Sequence, residues 1–236
     1  MLDPLALLPF AIAAADGRID GLPASQLVAA GVTLLQRSAP VVRALAGRRS
    51  AILVPPGPAL LTALAASEGR GALYLPTDME SSRLADRLAA ANVGALFTTA
   101  ALVAPHESRL AEWRSHGHAC VLLDTLPGAA QVVTADGQRL VDLGSHFGLP
   151  IEGMRDVEGR DEECLLFADD HNVAASDRPL VLTHRELLAR ARALHVVHAS
   201  GDAAFALPAL MHTADDLLTH FVAPLLSGAH LVSARA

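Results

Sequence analysis

A chain of 236 residues that is 52% hydrophobic and 18% charged is long enough for one large core or two small ones, and has the composition of a soluble globular protein. Its net charge of -7 and pI near 5.8 argue against a nucleic-acid or anionic-membrane partner, because binding by counterion release needs clustered cations. All 18 basic residues are arginine, so any reaction that needs a lysine must take it from another molecule. Aromatic residues, at 3%, are too few for a base-stacking platform.

In chain order, "MLDPLALLPFAIAAADGRID" is apolar, but Asp3 stands where a signal peptide would be basic, and Pro4 and Pro9 interrupt the run. Residues 1–23 therefore read as an N-terminal arm. No other run approaches transmembrane length. "ASQLVAAGVTLLQRSAPVVRAL" has helical spacing, and "SAILVPP" follows as a short buried strand closed by prolines. Pro58 suits the first turn of a helix running to about Glu68, where its missing N–H costs nothing. "GALYLP" is a second strand. "TDMESSRLADRLAAANVGALFTT" reads as capped helix, turn and strand, with Thr77 or Asp78 able to cap. "APHESRLAEWRSHGHACVLLD" repeats helix then strand.

From Thr125 to Gly159 the pattern weakens, although the Asp-Gly of "TADGQRL" suits a hairpin. "EECLLFA" and "RPLVLTH" resume as strands. Helix "HRELLARARALHVVHAS", strand "AAFALP", helix "TADDLLTHFVAPLLSG" and strand "AHLVSARA" complete the chain. This alternation predicts an α/β layered sandwich with a mainly parallel sheet covered on both faces. Residues 24–236 are expected to form one such domain, with any sub-boundary near residues 125–160.

Several residues could carry chemistry. His116, His118 and Cys120 in "HGHAC" have spacing two, which on a strand would put three zinc-type ligands on one face. With no fourth ligand nearby, a polar turn entering a buried strand explains them as well, Cys120 acting as a small hydrophobe. His195 and His198 lie three apart on a helix and suit a solvated or interface surface. "GSHFG" is not a nucleophile elbow, because its serine follows the first glycine directly. Asp156, Glu158, Asp161, Glu162 and Glu163 form an acidic run that reads as a solvated loop. Cys120 and Cys164, far apart in a chain without a clear secretory signal, suit free thiols in a reducing compartment, so the expected location is cytoplasmic.

Three segments in order resemble the N-terminal part of the adenylate-forming superfamily, the acyl- and aryl-CoA synthetases and adenylation domains. "RRSAILVPPGPALLTALAASEGRGALYLPTDMESSRLADRLAAANVGALFTT" is similar to the family's opening βαβ unit. "LLFADDHNVAASDRPLVLTHREL" resembles its phosphate loop and the Thr-His helix that follows. "FALPALMHTADDLLTHFVAPLLSGAHLV" resembles the substrate-side segment, where a proline-led turn ends in His. The resemblance covers about Ala24 to Val232. It implies ATP, magnesium and an acyl or aryl acid, with Thr183 and His184 at the helix start and His212 at the wall of the acyl pocket. The plainer uses are a capping segment for His184 and a helix-entry residue before the N-cap Thr213 for His212.

The departures matter more. The family's loop is rich in Ser, Thr and Gly and is followed by Pro-Lys-Gly, because backbone N–H groups must approach phosphates closely. Aligned on Thr183 and His184, Arg178 stands where that lysine would be and Pro179 where its glycine would be. Asp169, Asp170, His171, Asn172, Ser176 and Asp177 occupy the loop, and no glycine lies between Ala168 and Asp177. Two carboxylates beside a phosphate repel it by on the order of 1 kcal/mol even in water, unless magnesium bridges them. The chain also stops before the family's later adenine, ribose and hinge motifs and before the small domain that carries its lysine.

The expected function is therefore a non-catalytic, truncated relative, a pseudoenzyme without cofactor that serves as a binding or assembly subunit, with a second copy or a partner protein covering the truncated surface. One alternative is an acyl- or aryl-activating ligase using ATP and magnesium, completed by a partner chain. The other is an acyl or aryl ligand carrier.

Overall fold

The computed structural model describes residues 7–67, 71–79, 83–144, 163–167, 180–198 and 204–233. The first elements are α1 (Leu8–Ala13), β1 (Arg18–Ile19), β2 (Leu22–Pro23), α2 (Ala24–Arg37), α3 (Ala39–Leu45), β3 (Arg49–Ile52), α4 (Pro58–Ala66) and β4 (Ala72–Tyr74). Then come α5 (Leu84–Ala90), β5 (Val93–Thr98), α6 (Ala100–Val103), a 3-10 turn at Ala104–His106, α7 (Glu107–Ser115), β6 (Ala119–Leu122), β7 (Ala129–Thr134) and β8 (Gly137–Asp142). The last are β9 (Glu163–Phe167), β10 (Leu180–Thr183), α8 (His184–His198), β11 (Ala204–Ala206), α9 (Ala214–Leu217), α10 (Ala223–Leu226) and β12 (His230–Val232). Prolines sit in the first turns of α1, α3 and α4, where an N–H has no intrahelical partner to lose.

The main sheet has the order β10-β9-β4-β3-β5-β6-β7-β8. Its centre, β9 to β6, is parallel, and antiparallel pairs close both ends. Alternation along the central strands sorts their side chains into two cores. Ile52, Tyr74, Phe97 and Val121 face the larger core with α2, α3, α4 and α8. Ala51, Leu73, Leu96 and Cys120 face a smaller one with Leu84 and Leu88 of α5 and Leu110 and Trp113 of α7. Strands buried on both faces have no polar alternation, which is why they read in the sequence as short continuous apolar runs.

α2 and α4 pack at close range because Gly31 has no side chain: a Cβ there would lie 2.4 Å from the Thr62 carbonyl oxygen. The Thr62 hydroxyl donates to the Leu27 carbonyl across the same contact, at 3.2 Å.

A second, four-stranded sheet has the order β11-β12-β1-β2, with β12 between two parallel partners. Residues read from the sequence as an arm thus contribute a helix and a strand pair, and Leu8, Ile12 and Ile19 are fully buried. One hydrophobic cluster contains side chains from both sheets, Ile19 and Leu231 together with Ile52 and Phe97.

Three elements differ in detail from the sequence reading. The hairpin does form, but its two central residues are Ala135 and Asp136, and Gly137 opens β8 with φ +124. Of the helix expected after Thr77, the described part is α5 from Leu84, and Thr77 and Asp78 lie in a turn. The helix expected across 213–228 has a π turn at Leu218–Val222 between α9 and α10. Pro224 cannot donate to the carbonyl of residue 220 and its ring would strike that carbonyl in an α-helix, so the wider turn relieves the clash. No helix among the described residues is long and apolar enough to cross a membrane.

Candidate ligand site at the carboxyl ends of the strands

Ligands of open parallel sheets collect beyond the carboxyl ends of the strands. Here Phe167, Tyr74, Ile52, Phe97 and Val121 form one in-register row across β9, β4, β3, β5 and β6 near those ends. Tyr74, the only tyrosine in the chain, is buried. Burial first, then the carboxylates of Asp216 and Asp78, push its phenol well above the usual range, so it stays protonated.

His212 reaches this place from the other sheet. Asp216 on α9 accepts from the backbone N–H groups of His212 and Thr213, both at 3.0 Å, while the Thr213 hydroxyl accepts from the Asp216 N–H at 3.1 Å. This capping box fixes the backbone just before α9. Burial would raise the Asp216 carboxyl, but the N–H groups of Thr213 and His212 outweigh it and hold the group below the usual carboxylate range. The His212 ring stands 3.8 Å from the Asp78 carboxylate, and both side chains are partly open to solvent. His212 is thus both a helix-entry residue and part of a Tyr74–Asp78–His212–Asp216 grouping. Sequence reasoning had not named Tyr74, and had given Asp78 and Asp216 only helix-capping and first-turn roles. The available signal was one polar-tipped residue in the otherwise aliphatic strand "GALYLP".

Thr183 and His184 open α8. The Thr183 hydroxyl accepts from the Glu186 N–H at 3.2 Å, and Glu186 accepts from the Thr183 N–H at 2.9 Å, a second capping box. The Thr-x-x-Glu spacing carries that signature. His184 turns inward: it is 2% exposed, and its Nδ1 accepts from the Leu8 N–H at 3.2 Å. Burial lowers its pKa to about 4, so the ring is neutral with its proton on Nε2, a buried atom without a hydrogen-bond partner among the described residues.

Asp169, Asp170, His171, Asn172, Ser176, Asp177 and Arg178 lie outside the described residues. β9, which leads into that segment, ends in register with Tyr74. His195 and His198 fall on α8.

His116, His118 and Cys120 do not share one strand face. His116 caps the C-terminus of α7, and Gly117 turns the chain with φ +83 before β6 begins at Ala119. His118 stacks on Trp113 with ring centroids 4.5 Å apart, and its Nδ1 lies 3.2 Å from the Arg48 guanidinium. Cys120 is buried near Arg114, and burial pushes its thiol up to about 11. No group of three or more metal-binding side chains occurs among the described residues.

No known family model and no curated protein matches this sequence. Solved structures do. ATP-bound MatB from Rhodopseudomonas palustris is 16% identical with a TM-score of 0.61, covering 89% of this chain and 39% of that one. The nonribosomal peptide synthetase FmoA3 with AMPPNP bound is 16% identical with a TM-score of 0.64, over 98% of this chain and 23% of that one. CmiS6 is 15% identical with a TM-score of 0.64, over 100% of this chain and 53% of that one. The chain therefore spans about half or less of the length of the structures it matches. At these identities the likeness establishes the architecture: a mixed α/β fold with mainly parallel sheets, that of the N-terminal domain of adenylate-forming enzymes.

Proposed function

We propose that these 236 residues form a binding or assembly unit on the adenylate-forming fold, which receives an acyl or aryl acid beside His212 but does not adenylate it alone. The observation that carries this reading is the donor chemistry where phosphates would lie. Residues 168–179 contain no glycine and no lysine, and they include Asp169, Asp170 and Pro179. Asp78 and Asp216 set two more carboxylates near Tyr74. A magnesium-bound triphosphate, which the fold family implies, does not fit this set, because its anionic oxygens need converging N–H groups and cations. The His212 ring, partly open to solvent, can still orient a neutral or singly charged ligand.

In this reading the unit works in the cytoplasm with a second copy or a partner protein. An acyl- or aryl-activating ligase is the second reading. It is supported by the nucleotide-bound structures of the same fold and by Arg178, which keeps one positive charge where the family has lysine. It requires a lysine from outside these residues.

Pyrophosphate exchange with ATP and a panel of carboxylic acids separates the two. The protein alone is expected to give no exchange above background, and native mass spectrometry of material from its own cells is expected to show a second copy, a partner or a retained acid. Exchange by the protein alone would overturn the non-catalytic reading. For a retained acid, His212→Ala is expected to weaken binding about tenfold, the value of one hydrogen bond to a charged group; undiminished binding would remove His212 from the site.

A further inference from the structure

The β7–β8 hairpin reaches past the end of the larger core. Gly137, Arg139 and Val141 lie opposite Thr134, Val132 and Ala130, so all six stand on one face of the hairpin. Ala130, Val132 and Val141 are buried on that face in the cluster that holds Val41, Ala44 and Leu45 of α3. Nearer the tip the core gives way to a concavity of about 110 Å³, lined by Pro40 and Arg43 of α3 and by Val132, Thr134, Asp136 and Arg139 of the hairpin. That is about the liquid volume of four water molecules, which limits an occupant to a few non-hydrogen atoms.

Three charged side chains meet at this concavity without neutralising one another. Arg43, Arg139 and Asp136 are exposed, and none of their side chains forms an ion pair or hydrogen bond among the described residues. The Thr134 hydroxyl beside them donates to the Gly137 carbonyl at 3.4 Å, long enough for a stronger acceptor to compete. The backbone under both arginines is fixed, because Arg43 lies between the buried Val41 and Ala44 in α3 and Arg139 is paired with Val132 in β8. Two guanidinium forks presented by a packed helix and a paired strand suit an oxyanion between them. Asp136 decides which kind. Two guanidinium groups and one carboxylate leave one positive charge in excess, which a singly charged carboxylate neutralises. A dianion would bring a second negative charge beside Asp136, and that repulsion opposes it.

We propose that this concavity binds a small monocarboxylate, its oxygens shared between Arg43 and Arg139, with Asp136 discriminating against dianions. The site is independent of the function proposed above, since it shares no residue with the His212 grouping.

Nuclear magnetic resonance titration of the whole, nitrogen-15-labelled chain with sodium acetate and with sodium sulfate, at constant ionic strength set by sodium chloride, tests it. Saturable acetate shifts at the amides of Arg43, Thr134 and Arg139 are expected, with sulfate bound at least fivefold more weakly. Shifts around Thr213 would report the His212 site separately. Arg43→Gln and Arg139→Gln are each expected to weaken acetate binding at least fivefold, whereas Arg190→Gln on α8 leaves it unchanged. Asp136→Asn is expected to narrow or reverse the preference for acetate over sulfate. All four substituted side chains are exposed, so the fold is retained. Acetate shifts at the hairpin that do not saturate overturn the proposal, as does acetate affinity unchanged in both arginine variants. Sulfate bound by wild type as tightly as acetate overturns it too, because it would mean an unselective cationic surface.

Discussion

Lowering the pH from 7 to 4 is expected to cost this protein about 3 kcal/mol of stability through His184 alone, the energy of a pKa change from 6.5 to about 4. The sign follows from which state binds the proton. Burial depresses the folded pKa, and an unfolded histidine titrates near 6.5. Above that pH both states are neutral and the contribution is fully present. Between 6.5 and about 4 the unfolded chain takes up a proton that the folded chain refuses, so stability falls by up to about 1.4 kcal/mol per unit. Below about 4 this group adds no further loss. A proton on Nδ1 would also break the bond from the Leu8 N–H, one of the contacts between α1 and α8. Urea titrations at several pH values should show a shallower slope for His184→Gln than for wild type in this window. Equal slopes would mean that His184 is not buried and neutral.

The same residue shows where sequence reading reaches its limit. Thr183 and His184 were legible as a helix start, because the Thr-x-x-Glu pattern is local. That His184 binds Leu8, 176 residues away, was not legible, because a side-chain contact at that separation has no local signature. Likewise the strands at Ala51, Leu73 and Leu96 could be read from apolar runs flanked by proline and glycine. Their order in the sheet required the fold, since 88 residues separate β4 from β9 and yet the two strands lie side by side, Ala72 paired with Leu165 and Tyr74 with Phe167.

The candidate site divides in the same way. The place of His212 before a helix cap was readable from "FALPALMHTADD", because the turn and the cap lie within five residues. Its neighbours Tyr74 and Asp78 belong to a strand and turn far upstream, and only the packing of the two sheets brings them together. The zinc-like spacing of His116, His118 and Cys120 gave the opposite outcome. Spacing two implies a shared face only if all three residues are extended, and Gly117 breaks the strand geometry between the two histidines.

The largest effect of a single methyl group is expected at Gly94. A Cβ on this residue of β5 would lie 1.8 Å from the carbonyl oxygen of Ala44 and 2.7 Å from its carbon. The obstacle is the backbone of α3, so no rotamer change can relieve it. α3 would have to lift from the sheet, and it carries Val41, Ala44 and Leu45, each 0–1% exposed. Overpacking against a fixed neighbour costs about 3 kcal/mol. For a domain of this size that lowers Tm by about 6–12 °C. Gly117→Ala is the informative comparison. With φ +83 and no atom within 4 Å of the added Cβ, the constraint there is conformational and costs about 1 kcal/mol, or about 2–4 °C. Thermal melts of the two variants should therefore rank Gly94→Ala as the more damaging by several degrees. A Gly94→Ala protein that melts with wild type would mean that α3 does not rest on β5 at this distance.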